Sequence, residues 1–196
     1  MNLKEQIKKF WNFLKEDTWQ SWLVSLILLI VIIKFIFFPL MSLLTGTPLP
    51  LVVVESCSMY HESDFNTWWN SNAGWYEARN ITKEQFKSFS LKYGFNKGDI
   101  LFVTGRGTPH IGNVIIFKAE SKYPIIHRVI SLSPLETKGD HNSGQLTMAS
   151  YGVDETNIDK NGIVGYARFK VVPLLGWVKL IFFEPLKPAN EKGFCR

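Results

Sequence analysis

Cysteine is nearly absent from this 196-residue chain: Cys57 and Cys195 are the only two. That is too few for a disulfide framework or a cysteine-rich zinc site. Dense blocks of one charge are also missing. The formal charge is +5, but its Lys and Arg residues are scattered, so the excess leaves no nucleic-acid footprint. Nothing repeats at a period of about 20–50 residues, which removes solenoids and propellers. Glycine (14) and proline (9) stand at ordinary levels, excluding collagen-like and low-complexity chains. Charged residues amount to 20% against 46% hydrophobic ones, so the chain is not a disordered one.

What is present begins with an apolar run. From Trp22 to Leu44 the sequence reads WLVSLILLIVIIKFIFFPLMSLL, interrupted only by Ser25, Lys34, Pro39 and Ser42. As a helix this run is about 34 Å long, against a bilayer core of about 30 Å. A domain this small has little room to surround a helix that is apolar on all sides. A cleaved secretory signal would have an apolar region of about 7–15 residues followed by a small-x-small site. The run therefore predicts a retained transmembrane helix over 22–44. Lys4, Lys8, Lys9 and Lys15 precede it, whereas no Lys or Arg occurs between Lys34 and Arg79. The positive-inside rule then leaves residues 1–21 in the cytoplasm and the remainder outside the cell membrane. Within 1–21, Leu3, Ile7, Phe10, Trp11 and Leu14 recur at helical spacing, as in a helix lying in the inner interface.

Beyond residue 45 short apolar runs alternate with turn residues. Leu51–Val54, Ile100–Thr104, Val114–Phe117, Ile125–Ile130, Ile163–Phe169 and Gln145–Met148 read as strands. Asn96-Lys97-Gly98-Asp99, Gly105-Arg106-Gly107 and Lys138-Gly139-Asp140 supply turns. The fold class is thus a mainly β ectodomain of antiparallel sheets over 45–186, behind one transmembrane helix, with 187–196 as a tail. An insertion over 62–95 carries Trp68, Trp69, Trp75 and Tyr76, then Thr82-Lys83-Glu84-Gln85 as a capping box for a short helix. Those aromatics suit either a small core or a membrane interface. Val171–Leu186 is open in the same way, between a last core strand and a second membrane contact.

Chemistry concentrates at Ser56-Cys57-Ser58-Met59, Ile126-His127-Arg128-Val129 and Thr137-Lys138-Gly139-Asp140-His141-Asn142. These offer the three groups that serine nucleophilic catalysis requires. A hydroxyl needs a base for its proton, and imidazole is matched to neutral pH. The base in turn needs an acceptor that fixes its tautomer.

The order Ser-x-Ser-Met after one membrane helix, then His-Arg-Val, then Lys-Gly-Asp-x-Asn resembles type I signal peptidase. The likeness is closest to the branch of archaea and the endoplasmic reticulum, where histidine stands where bacteria use lysine. It covers about residues 22–60 and 96–182. By matching position, the resemblance implies Ser58 as nucleophile, His127 as general base, Asp140 as the acidic residue and Ser56 as an oxyanion donor beside the Ser58 amide. The turn at Lys97-Gly98-Asp99-Ile100 matches a structural element. The implied activity is a membrane-anchored serine endopeptidase cleaving signal peptides after small residues. Its partners would be signal-peptide-bearing pre-proteins, the lipid bilayer and the protein translocation machinery, without nucleic acid, metal or cofactor.

Several positions depart from the family pattern. Cys57 stands for the usual glycine between the serines, Tyr60 for a proline, Gly112-Asn113 for Gly-Asp and His141 for an asparagine. The second aspartate expected six positions after Asp140 falls on Leu146, which leaves Asp154 or Asp159 to stand in. Cys57 as nucleophile is disfavoured, because alternation along an extended segment points it away from Ser56 and Ser58. A metal site from His61, His110, His127, His141 and Asp140 lacks ligand spacing. The alternative from another class is a catalytically inactive binding subunit of a secretion complex, suggested by the missing acid and the aromatic insertion.

Overall fold

The computed structural model describes residues 2–119 and 124–196. The chain divides into two compact units, 1–44 and 45–196. In the first, α1 (Leu3–Leu14) opens in a capping box between Asn2 and Glu5. A long helix, α2 (Trp19–Thr45), follows, with the Thr18 hydroxyl accepting from Ser21 N. It is long and apolar enough to cross a membrane. Residues Ile33–Phe37 widen to a π turn in which Phe38 N donates to Ile33 O. The cause sits one residue on. Pro39 has no N–H for the Phe35 carbonyl, and its ring crowds that carbonyl, so the ladder slips by one residue.

The second unit is built on one six-stranded antiparallel sheet: β1 (Leu51–Val53), β2 (Ile100–Thr104), β3 (Val114–Phe117), β4 (Ile125–Leu132), β5 (Leu135–Lys138) and β6 (Ile163–Val172). Their order is β1-β2-β6-β3-β4-β5. The mainly β, antiparallel domain expected from the sequence is what the chain forms. One local expectation fails. Gln145–Thr147 are not in a strand, and a short helix, Met148–Tyr151, follows them. The sixth strand is instead Leu135–Lys138, whose polar composition hid it: Thr137 pairs with Val129, and Lys138 with Arg128.

The insertion resolves to core. Helix α3 (Phe65–Glu77) is capped by Asp64, and α4 (Lys83–Lys87) by Thr82, whose hydroxyl accepts from Gln85 N. Trp68, Trp69, Tyr76, Ile81 and Phe86 are buried with Ile130 of β4 in one cluster. Each fully buried large apolar side chain contributes about 1.5–3 kcal/mol, enough to make this insertion a packed layer against the sheet. Two further clusters lie around Ile115, Phe117, Val129 and Tyr166, and around Val54, Met59, Leu101 and Val114.

After β6 the chain does not continue as a strand. Gly176 N donates to Gly98 O, and a helical turn Trp177–Leu180 leads into residues 181–195. Trp177 packs so closely on Gly98 that a Cβ there would lie 2.2 Å from the indole; Gly98 also has φ +90°. Only glycine meets both conditions.

Candidate active site

Alternation along β4 decides how the site is wired. Neighbouring side chains of a strand point to opposite faces, so His127 and Arg128, both buried, turn to different partners. On one face, His127 Nδ1 lies 2.5 Å from Glu155 Oε1. A carboxylate only accepts, so Nδ1 carries the proton and Nε2 keeps its lone pair. Glu155 is fully buried and held by three donors: His127 Nδ1, the Thr137 hydroxyl at 2.8 Å and Leu146 N at 2.7 Å. Its backbone is fixed equally firmly. Thr137 N and Gln145 Nε2 donate to its carbonyl, and its own N–H donates to Leu146 O.

On the other face, the Arg128 guanidinium spends every N–H. Nε donates to Asp140 Oδ1 at 2.9 Å, Nη2 to Asp140 Oδ2 at 2.7 Å and Leu91 O, and Nη1 to Ser90 O and Gly112 O. Asp140 also accepts from His61 Nε2 and the Tyr76 hydroxyl, each at 3.1 Å. Burial alone would raise the Asp140 carboxyl; the Arg128 charge and the hydrogen bonds from His61 and Arg128 outweigh it and hold it well below the usual carboxylate range. The same carboxylate, after burial itself, pushes the Tyr76 phenol well up. Together Arg128 and Asp140 tie the 112 turn and the aromatic insertion to the sheet, Arg128 through Gly112 O and Asp140 through Tyr76. The carboxylate on His127 is not Asp140, expected in that role by motif position, but Glu155.

Nor do the two substitutes named from the sequence reach the imidazole. Asp154 binds the N–H and hydroxyl of Thr156, and Asp159 accepts from Asn161 N. The acid between them in the chain does reach it. The link to the family pattern appears only in the structure: the amide of Leu146, where the missing aspartate was expected, donates to the Glu155 carboxylate.

Ser58 meets this assembly through the turn after β5. His141 N donates to Ser58 O at 2.9 Å, and Asp140 N to Met59 Sδ at 3.4 Å. Gly139 lies between the Ser58 segment and His127: a Cβ on it would lie 2.7 Å from Ser58 O and 2.8 Å from His127 Nε2. The Ser58 and Ser56 hydroxyls are 3.2 Å apart, in a bend that Tyr60 N closes onto Cys57 O. Cys57 faces the other way and forms a disulfide with Cys195. Lys138 donates from Nζ to Gly139 O, bracing the turn. Burial lowers its ammonium to about 8, against the pull of Asp140 and Glu155. His141 lies near Glu62 and Tyr60 at the rim.

His127 thus has a carboxylate on Nδ1, while its Nε2 and the Ser58 carbonyl flank the same point beside Gly139. Comparison with known proteins agrees with the resemblance carried by the motifs. No protein-family model matches the chain. It is 29% identical over 107 residues to the signal peptidase complex catalytic subunit SEC11 of Colletotrichum graminicola, covering 50% of this chain and 61% of that protein. The corresponding subunit of Penicillium rubens is 33% identical over 106 residues, 50% of this chain and 59% of that one. SEC11C of Homo sapiens is 34% identical over 104 residues, 48% and 53%. The match therefore spans less than two thirds of these relatives' lengths. They are eukaryotic, so the archaeal part of the expectation finds no support in them.

Proposed function

We propose that this chain is a membrane-anchored serine endopeptidase that removes signal peptides from exported pre-proteins. The observation that carries the reading is the His127–Glu155 pair, with Nε2 turned to the Gly139 position that the Ser58 carbonyl also flanks. Ser58 Oγ attacks the scissile carbonyl carbon and gives its proton to Nε2, while Glu155 stabilises the imidazolium. The Ser56 hydroxyl and the Ser58 amide receive the oxyanion. The leaving amine takes the proton from Nε2, leaving an acyl ester on Ser58. Water deprotonated by the same nitrogen then releases the product acid. Glu155 replaces Asp140 as the orienting acid, and Asp140 acts as the hub beneath the site.

Strand β1 is terminal in the sheet and leads directly toward Ser56 and Ser58. It suits an extended substrate that adds as a further strand, with small residues favoured at the first and third positions before the cut. Residues 1–21 stay cytoplasmic, α2 spans the membrane, and 45–196 lie on the far side, where the translocation machinery delivers substrate. The Cys57–Cys195 disulfide supports that side, because such bonds persist in oxidising compartments. The inactive-subunit alternative loses its main argument, since Glu155 supplies the acid whose loss had suggested it.

The test is cleavage of a pre-protein by the purified full chain. Ser58→Ala and His127→Ala should each abolish it while expression and membrane insertion persist, because nucleophile and base act as a unit. Cleavage by Ser58→Ala at the parental rate ends the serine mechanism.

A further inference from the structure

The residues just before Ser58 are gripped from one side by a single distant segment, 177–195. Lys187 Nζ donates to Glu55 O at 2.7 Å, and Lys179 Nζ to Glu55 Oε1 at 2.8 Å. Cys195 is bonded to Cys57, 138 residues away in sequence, with the two Cα atoms 5.4 Å apart. The segment is itself anchored on the Lys97-Gly98 turn. Trp177 Nε1 donates to Lys97 O at 3.1 Å and Lys97 N to Cys195 Sγ at 3.5 Å. The buried Lys97 ammonium holds both the Glu184 carboxylate and, at 2.7 Å, Glu191 O. Gly193 N donates to Glu184 Oε1, and the Phe194 ring packs on Trp177 at 4.5 Å. Glu55, Cys57 and the Lys97 turn are thus held by one strap.

We propose that residues 177–195 form a positioning strap for the nucleophile, latched by the Cys57–Cys195 disulfide. The inference rests on Ser58 being the nucleophile. Between Ser56 and Ser58, the backbone of Cys57 decides where both hydroxyls point. Away from the strap, Ser58 O accepts from His141 N and Met59 O from Phe95 N, while Tyr60 N closes a turn within the segment onto Cys57 O. The nucleophile segment therefore sits between a hydrogen-bonded wall, which also carries the base, and a covalent latch. Without the latch, the backbone bonds of Val54 to Gly98 and Asp99 still hold the start of the segment, but beyond it the strap reaches Glu55 through the long flexible side chains of Lys179 and Lys187. A displacement of the hydroxyl by about 1 Å costs on the order of a hundredfold in rate. Cys195 is a positioning residue, acting through Cys57 on Ser58.

The latch is half-buried and can be opened by a dithiol. One reductant thiolate attacks a disulfide sulfur to give a mixed disulfide. The second reductant thiol displaces it, leaving Cys57 and Cys195 as thiols and the reductant as a cyclic disulfide.

The experiment uses the full chain in detergent in three forms: oxidised, reduced with dithiothreitol, and Cys195→Ser. It measures kcat and KM on a pre-protein peptide and deuterium uptake at the amides of Tyr60 and His141. Reduction and Cys195→Ser should each lower kcat by roughly ten- to a hundredfold with KM little changed, and both amides should exchange faster. Dithiothreitol should not affect Cys195→Ser further. Lys187→Met, with the disulfide intact, should give a smaller loss in the same direction, and it serves if Cys195→Ser fails to fold. Unchanged kcat and unchanged exchange on reduction overturn the strap, as does a loss that tracks global unfolding by circular dichroism. Should the oxidised chain cleave no pre-protein, the peptidase reading fails by itself, and the exchange at Tyr60 and His141 still decides the strap.

Discussion

His127 and Glu155 are joined Nδ1 to Oε1 at 2.5 Å, 28 residues apart in sequence and both buried. The pair fixes one tautomer of the imidazole and leaves Nε2 as the only basic nitrogen. Asp140, though next to Gly139, is committed to Arg128 on the opposite face of β4.

This division predicts different phenotypes for the two acids. Glu155→Gln should lower kcat by about 10²–10⁴-fold with little change in folding, because the amide can present its N–H to Nδ1 and invert the tautomer. Asp140→Asn should act mainly on stability, since it leaves the buried Arg128 charge uncompensated, at a cost of about 3–5 kcal/mol. Parallel measurement of kcat and of urea denaturation for both variants is the check. An Asp140→Asn protein that is fully stable but inactive would return the orienting role to Asp140.

Gly139 should tolerate no side chain. A methyl group there would meet Ser58 O, His127 Nε2 and Asn142 Nδ2 at 2.7–2.8 Å, so backbone and base must separate. Gly139→Ala is expected to lose about a hundredfold or more in kcat, whereas Gly144→Ala, where nothing lies within 4 Å, should cleave normally. Comparable activity of the two variants would remove Gly139 from the geometry of the site.

Acid should destabilise the domain through Asp140. Its carboxyl is held well below the usual range in the fold and returns to about 3.9 when unfolded. Between those values the unfolded chain binds the proton and the folded one does not, so stability rises with pH there. The contribution is complete above about pH 5 and lost as pH falls through the folded value. Denaturation curves between pH 3 and 7 should show this slope flattened in Asp140→Asn. At the alkaline end the lowered Lys138, about 8 in the fold against about 10.4 unfolded, makes stability rise again with pH across that interval. Lys138→Met should remove that rise. Curves with the wild-type slopes in both variants would contradict the assignments.

The strap also offers a face to lipid. Val178, Ile181, Phe182, Phe183 and Leu186 are exposed, Phe182 at 75% and Leu186 at 83%, a patch unusual for a soluble surface. Trp177, in the same stretch, is half-buried on Gly98 and lies apart from this face. Residues 46–196 without α2 should bind liposomes, and Phe182→Ser with Phe183→Ser should bind less while keeping the same circular dichroism. A wild-type domain without affinity for lipid leaves α2 as the sole anchor.

The sequence by itself determined what local rules govern. The apolar run of α2, the strands at 100–104, 114–117 and 125–130, the Thr82 cap and the serine–histidine motifs all depend on neighbours a few residues away. Periodicity and turn chemistry report such neighbours directly. The tertiary structure alone put Glu155 rather than Asp140 against His127, because that depends on which face of β4 each residue occupies and which loop then packs against that face. It likewise decided that the tryptophans at 68 and 69 form a core, since their composition fits water-excluded packing and a membrane interface equally well. Cys57 and Cys195 follow the same logic. Two cysteines were too few to suggest a framework, and only the fold of 177–195 back onto the Lys97 turn brings their Cα atoms to 5.4 Å. Contacts between residues far apart in sequence form at the price of loop closure, and which of them wins is set by the packing of the whole sheet rather than by any segment of it.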